Sequence, residues 1–100
     1  MVKHIILWKL KEEFTQEEKN VIAQGIKEGL EQLSGVIPGL LDIHVQAGGL
    51  ASSNVDVMLD STFESEEALQ AYAKHPAHVE VADTKVGPFT MLRSCLDFEV

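Results

Sequence analysis

A phenol and two imidazoles lie close together in the segment Tyr72-Ala73-Lys74-His75-Pro76-Ala77-His78. Imidazole is the side chain whose ordinary pKa lies nearest neutrality, so His78 is a candidate base that could remove a proton from an acidic carbon or hydroxyl. A phenol can donate a hydrogen bond to the negative charge that develops in such a step, which is the role expected of Tyr72. Both residues also suit a structural role in which each simply hydrogen-bonds the backbone.

A metal site needs several converging ligands, and pairs of histidines on a helix usually stand four residues apart. His75 and His78 are three apart across a proline, and no cysteine lies near them, so we expect no metal site. Cys95 is the only cysteine, which excludes an internal disulfide and a multi-cysteine zinc site. We interpret it as a small core residue or an outward-facing one, without a catalytic role.

Length and charge narrow the classes of function. One hundred residues suffice for one domain, which we place at 1–100, and leave nothing for a second core. Sixteen acidic against eight basic residues give a net charge of −8, which repels nucleic-acid phosphates and anionic membrane surfaces. No segment is apolar for long enough to span a bilayer, and the first residues lack the features of a signal peptide. We therefore expect a cytoplasmic protein that binds neither nucleic acid nor membranes.

The first predicted element is a strand from Val2 to Leu10. Its residues alternate between two faces that are both partly apolar, which is typical of a strand covered on both sides. His4, Ile6 and Trp8 share one of these faces. We therefore expect the ionisable side chain of His4 to lie among apolar neighbours.

A helix and a second strand follow. Thr15-Gln16-Glu17-Glu18 matches a capping box, and the helix it begins is expected to run to about Leu33. Gly25 and Gly29 share a face of this helix, where they either let a partner or ligand approach the helix backbone closely or are simply tolerated. Leu40 to Ala47 is predicted as a strand with two unlike faces. One face carries Leu41, Ile43, Val45 and Ala47, and the more polar face carries Asp42, His44 and Gln46.

The second half of the chain repeats the alternation of strand and helix. Val55 to Phe63 predicts a third strand, joined to the second by a loop rich in glycine and serine. Ser65 caps a second helix, and Pro76 breaks it and begins another helical turn. Met91 to Val100 predicts the last strand, with alternate residues facing opposite ways.

The order of elements is β-α-β-β-α-β, which predicts an α+β, ferredoxin-like protomer with four antiparallel strands and both helices on one face of the sheet. The other sheet face still carries apolar side chains. Because a monomer would leave that face in water, we expect a homodimer that packs sheet against sheet into a dimeric α+β barrel.

Several segments, spread in order over the whole chain, resemble the stress-responsive dimeric A/B barrel domain family. They are Val2-Lys3-His4-Ile5-Ile6-Leu7-Trp8-Lys9-Leu10-Lys11, Ile37-Pro38-Gly39-Leu40, Thr62-Phe63-Glu64-Ser65 and Tyr72-Ala73-Lys74-His75-Pro76-Ala77-His78-Val79. The last of these is the most specific. The resemblance implies a ferredoxin-like protomer whose sheet packs across a two-fold axis, in agreement with the uncovered sheet face.

Some members of that family resemble polyketide cyclases, which close a poly-β-keto chain without metal or cofactor. By this resemblance Tyr72 and His78 would act in a pocket between sheet and helices. The pocket would be lined by His4 together with Ile6, Trp8 and Leu30. Cyclase-like members place a further tyrosine at the position that falls on Leu30, so the pocket here would be less polar. His75 would have a structural role at a helix end.

The leading hypothesis is a homodimer that binds a small, largely apolar molecule in this pocket and needs no cofactor. Within it, aldol-type cyclisation or isomerisation is one possible activity, with His78 as base and Tyr72 as oxyanion donor. The alternative is a non-catalytic dimer with a role in stress response or partner binding. Haem or oxygen chemistry on a similar barrel is a third hypothesis, and it would need an iron ligand.

Overall fold

A computed structural model describes residues 1–100 and contains one four-stranded sheet with helices on one of its faces. The strands are β1 (Val2–Leu10), β2 (Leu40–Ala47), β3 (Val57–Phe63) and β4 (Thr90–Glu99), and the helices are α1 (Gln16–Glu31), α2 (Glu66–Lys74) and α3 (Pro76–Val81). A short π-helix over Ala82–Val86 and a 3-10 turn over Gly87–Phe89 lead from α3 into β4.

The sheet is antiparallel with the strand order β2-β3-β1-β4. This arrangement confirms the predicted ferredoxin-like α+β fold. Because β1 is a central strand, its alternate residues register against both neighbours. His4 lies opposite Ser61 of β3 and opposite Asp97 of β4, and Ile6 lies opposite Cys95. The register thus places ionisable side chains of two adjacent strands on the face that the helices cover.

The helix α1 begins as its sequence predicts. The Thr15 side chain accepts a hydrogen bond from the Glu18 backbone N–H, and the Glu18 carboxylate accepts one from the Thr15 N–H, which completes the capping box. Its apolar stripe packs on the sheet and forms the core with residues of β1, β2 and β3. The core includes Ile6, Trp8, Leu10, Ala23, Ile26, Leu30, Ile43, Val45, Val57, Leu59, Phe63 and Tyr72.

The two glycines of α1 lie in different surroundings. A Cβ built on Gly25 would meet nothing within 4 Å, whereas one on Gly29 would lie 3.0 Å from Cγ1 of Val81 in α3. Gly29 therefore lets α1 and α3 approach closely, and Gly25 is simply tolerated. The neighbour at Gly29 is a side chain of the same protein and not the partner or ligand that the sequence allowed for.

Two element boundaries differ by two residues from the sequence-based expectations, and one residue faces the other way. The helix α1 ends at Glu31 rather than near Leu33, and β3 begins at Val57 rather than Val55. Leu41 was expected to share a face with Ile43, but it is exposed, and Leu40 is buried in its place. The cause is a register shift between Leu40 and Asp42, which turns one extra residue outward.

The chain bends sharply between α2 and α3. His75 has extended backbone angles, its N–H donates to the Tyr72 carbonyl, and its Nδ1 accepts from the Ala77 N–H at 3.1 Å. One residue thus ends one helix and caps the next, and Pro76 occupies the first position of α3, where a missing N–H costs nothing. This bend turns Tyr72 and His78 toward each other.

The sheet face away from the helices is divided into a polar and an apolar half. On β2 and β3 it carries mostly polar residues, Asp42, His44, Gln46, Asp60 and Thr62, with Met58 among them. On β1 and β4 it carries Ile5, Leu7, Leu92, Leu96 and Phe98, with Ser94 between them and Lys3 and Lys9 toward the ends of β1. Leu92, Leu96 and Phe98 are exposed in the isolated chain. The apolar half is therefore the surface that a partner would cover.

None of the helices combines the length and the hydrophobicity that crossing a membrane would require.

Candidate functional site

Two cavities between the sheet and the helices share four lining residues: His4, Tyr72, His78 and Arg93. The outer cavity, of about 500 Å³, opens between β4 and α2 and includes Cys95 and Asp97. The inner cavity, of about 330 Å³, lies between the sheet, Leu30 of α1 and the π-helix, and about half of its lining residues are apolar. A ligand placed here would have an apolar end directed inward and a polar end among the histidines.

Tyr72 and His78 form the closest aromatic pair in this region. Their ring centroids are 4.1 Å apart with an angle of 39° between the ring planes, although the two side chains belong to different helices. Tyr72 is only 1 % exposed. Its Oη and the Nδ1 of His78 are both buried and have no hydrogen-bond partner in the protein. Unpaired buried polar atoms are rare and costly, which marks this pair as a place where another molecule is expected to bind.

Burial keeps both groups in their neutral forms near pH 7. It raises the pKa of the Tyr72 phenol well above its ordinary value of 10.0. It lowers the pKa of His78 below the ordinary 6.5, and the backbone of Ala73 opposes this shift only in part. Tyr72 can therefore donate a hydrogen bond, and the His78 imidazole can accept a proton.

His4 belongs to a second group of polar side chains at the outer cavity. It is buried, and its Nδ1 lies 2.5 Å from Oδ1 of Asp97 on the adjacent strand. Sγ of Cys95 lies 3.9 Å from the same nitrogen and donates to Asp97 at 3.5 Å. Desolvation and the Asp97 carboxylate raise the pKa of the Cys95 thiol, so it is a poor nucleophile.

The structure brings the predicted site residues together. Tyr72, His78 and His4 line both cavities, with 6.2 Å between the ring centroids of His4 and Tyr72. The predicted apolar lining residues Ile6, Trp8 and Leu30 all line the inner cavity. The remaining two histidines lie elsewhere: His75 caps α3, and His44 is exposed and pairs with Asp42.

Sequence reasoning missed the contributions of β4. Arg93, Cys95 and Asp97 alternate along one face of that strand, and this face is the one toward the helices. The alternation itself was visible in the sequence. The missing information was the pairing of β4 with β1, which places Asp97 beside His4.

Comparisons with known proteins identify the family of the whole chain. The profile of the stress responsive A/B barrel domain family matches residues 2–100. Over 86 residues the chain is 31% identical to olivetolic acid cyclase from Cannabis sativa. This alignment covers 82% of this chain and 80% of that protein.

Solved structures agree as well. A dimeric protein of unknown function with a ferredoxin-like fold from Bacteroides fragilis superposes with a TM-score of 0.92 at 32% identity, over 99% of this chain and 95% of that one. Hydroxynitrile lyase from Passiflora edulis shares the fold at a TM-score of 0.78 and 16% identity, over 99% of this chain and 92% of that one. The chain therefore belongs to the stress responsive A/B barrel domain family.

Proposed function

We propose that residues 1–100 act as one domain that forms a homodimer, binds a small, largely apolar carbonyl compound and catalyses proton transfer on it without a cofactor. The observation that carries this proposal is the Tyr72–His78 pair, with its two buried and unpartnered polar atoms at a ligand-sized cavity. The single cysteine side chain is a free thiol, which suits the reducing cytoplasm.

The lining of the two cavities supports this choice of ligand. Ile6, Trp8 and Leu30 provide an apolar inner end, where a hydrocarbon chain or ring gains from leaving water. Most donors and acceptors lie at the outer end or on the four residues that the two cavities share, and a ligand's oxygen atoms would be recognised there. An apolar body with one or more carbonyl groups at one end matches this division.

The proposed chemistry follows from the protonation states. The neutral imidazole of His78 removes a proton from the carbon next to a ligand carbonyl, and the resulting negative charge moves onto the carbonyl oxygen. The Tyr72 hydroxyl donates a hydrogen bond to that oxygen. In an isomerisation, the imidazolium then returns the proton to another carbon of the same molecule.

An aldol closure would use the same two residues. The enolate carbon attacks a second carbonyl, a carbon–carbon bond forms, and the new alkoxide takes its proton from the His78 imidazolium. The likeness to a protein named as a cyclase supports this class of reaction. Leu30 is the residue of α1 that lines the inner cavity, and it offers no polar contact where cyclase-like members have a tyrosine. The proposal therefore covers carbonyl compounds in general and names no particular polyketide.

The homodimer rests on the apolar half of the outer sheet face. Leu92, Leu96 and Phe98 are exposed on β4, beside Ile5 and Leu7 of β1. A contiguous apolar surface of this kind is costly in water and is typical of an interface. The relative from Bacteroides fragilis, described as dimeric, supports the same assembly.

The test begins with ligand binding. Thermal unfolding of the parent protein is measured against a panel of small aromatic and β-keto compounds, in parallel with Tyr72→Phe and His78→Ala. His75→Asn is the matched control, because it removes an imidazole from the same segment but keeps a capping acceptor for α3. We expect a compound that stabilises the parent and the control but neither site variant.

Turnover of the stabilising compound is then followed by proton exchange at its acidic carbon and by product analysis. The expected result is exchange in the parent that the Tyr72→Phe, His78→Ala double variant loses. Unchanged turnover in that double variant would overturn the assignment of base and donor. Binding without any exchange would support a non-catalytic ligand-binding dimer, and no binding at all would overturn the proposal.

A further inference from the structure

The His4 cluster, defined as His4, Cys95 and Asp97, is a second chemical feature of the outer cavity that proton transfer at Tyr72 and His78 does not use. The three side chains come from two hydrogen-bonded strands, which hold them more rigidly than loops would. Nδ1, Sγ and Oδ1, one ligand atom from each residue, all lie within 4.8 Å of one another. Three different potential ligands thus converge on one point.

The separations agree with a common metal ion. Tetrahedral zinc bonds of about 2.0 Å to nitrogen or oxygen and about 2.3 Å to sulfur place ligand atoms roughly 3.3 to 3.6 Å apart. Sγ of Cys95 lies 3.5 Å from Oδ1 of Asp97 and 3.9 Å from Nδ1 of His4. The nitrogen and oxygen, at 2.5 Å, must separate by less than about 1 Å, which rotation of the exposed Asp97 side chain permits.

We propose that His4, Cys95 and Asp97 bind a divalent transition-metal ion, best suited to zinc, with its fourth position open to the outer cavity. Imidazole, thiolate and carboxylate are ligand types that zinc accepts, and three protein ligands leave the fourth position to water or a bound molecule. A thiolate and a carboxylate supply two negative charges, which balance the ion in a chain that is itself strongly acidic.

A second observation points to a ligand in the cavity that this cluster lines. Tyr72 is 1 % exposed, lines the same outer cavity as His4, Cys95 and Asp97, and has an unpartnered Oη. Arg93 also lines this cavity. A water or a ligand oxygen in the fourth position would have both a phenol and a guanidinium within the same cavity to hydrogen-bond, and an anionic ligand would gain most.

Cobalt(II) is the probe, because its tetrahedral thiolate complexes absorb strongly whereas zinc complexes are colourless. The full-length reduced protein is freed of metal, titrated with cobalt and followed by its thiolate-to-cobalt charge-transfer and visible bands. We expect one cobalt per chain, a thiolate band, and displacement of cobalt by zinc. Cys95→Ser should remove the thiolate band. Asp97→Asn should weaken cobalt binding at least about tenfold, because even the loss of a residue that only hydrogen-bonds a metal ligand costs about that much.

Two controls separate this site from adventitious binding. His44→Gln removes the exposed imidazole that pairs with Asp42, and His75→Asn removes the imidazole that caps α3. Both variants should keep the thiolate band and the affinity of the parent. Absence of a thiolate band at saturating cobalt, or its persistence in Cys95→Ser, would overturn the proposal. If Cys95→Ser does not fold, the stoichiometry of the parent and the affinity of Asp97→Asn decide.

This inference shares the unpartnered Tyr72 hydroxyl with the proposed function, but its test does not depend on proton transfer. The cobalt spectrum is read without any substrate, and none of its variants removes Tyr72 or His78. A metal site without turnover, or turnover without a metal site, would each be visible as a separate result.

Discussion

Among the individual residues, Tyr72 gives the strongest argument for a ligand site, because ordinary core packing does not explain its hydroxyl. The ring packs against Phe63 and His78 and contributes fully to the core. The hydroxyl at its end is buried without a partner, which costs about 1 to 3 kcal/mol relative to a hydrogen-bonded group. A purely structural site would be better served by phenylalanine.

Tyr72→Phe should therefore stabilise the protein while it abolishes ligand binding. We expect the free energy of unfolding to rise by about 1 kcal/mol, because the substitution removes the unpaired hydroxyl and keeps the ring. Urea denaturation of both proteins at one concentration measures the difference. A loss of stability would show that the hydroxyl has a structural partner and would weaken the case for a ligand at this position.

The pH dependence of stability reports on His78. Burial lowers its pKa in the folded protein below the ordinary 6.5 of the unfolded chain. Between these two values the unfolded state binds more protons, so stability falls as the pH is lowered through that interval and recovers above about 6.5. We expect the loss of stability between pH 7.5 and pH 5.5 to be smaller in His78→Gln than in the parent. Equal losses in urea denaturation would contradict a buried neutral imidazole.

The candidate site was only partly predictable from the sequence, for a reason that its residues make clear. Tyr72 and His78 are six positions apart, and the proline between them predicted the bend that brings them together. His4 and Asp97 are at opposite ends of the chain, and their contact depends on the register of β1 with β4. No local pattern encodes a pairing of that range, so the His4 cluster could not be expected from the sequence.

Among the elements, the junction of α2 and α3 determines where the two site residues lie. His75 ends α2 and caps α3 with its ring nitrogen, and Pro76 begins α3. The break at His75 and the start of α3 at Pro76 were predicted from the sequence, because proline restricts the residue before it. The cap by the His75 ring nitrogen was not predicted. The outward turn of Leu41 was not predicted either, since the register shift at the start of β2 depends on its pairing with β3.

The cap at His75 can be tested by comparing two substitutions. His75→Ala removes the acceptor for the Ala77 N–H and should cost about 1 kcal/mol of stability, whereas His75→Asn supplies a new acceptor and should cost a few tenths. Because α3 carries His78, we also expect weaker ligand binding in His75→Ala. Urea denaturation and thermal-shift titration measure the two effects. Equal costs for alanine and asparagine would show that the ring does not act as a cap.

At the scale of the whole molecule, the sheet faces two different environments. The helices cover one face, and the other face is mostly polar on β2 and β3 but mostly apolar on β1 and β4. A small domain with this much exposed apolar surface is marginal alone, and a second copy that covers it adds a core that one chain cannot build. The site lies on the opposite face, so dimerisation would support its strands from behind.

Leu96→Lys tests this assembly at the centre of the apolar half. Leu96 is 65% exposed in the isolated chain and pairs with Ile5. In a symmetric dimer the substitution buries an uncompensated charge from each copy, and the dissociation constant should rise at least about a hundredfold. Sedimentation should give twice the chain mass of 11.0 kDa for the parent and the single mass for the variant.

Leu50→Lys, at a loop position that is 82% exposed, is the matched control and should remain dimeric. A parent that sediments as a monomer at micromolar concentration, or a Leu96→Lys variant that stays dimeric, would place the interface elsewhere.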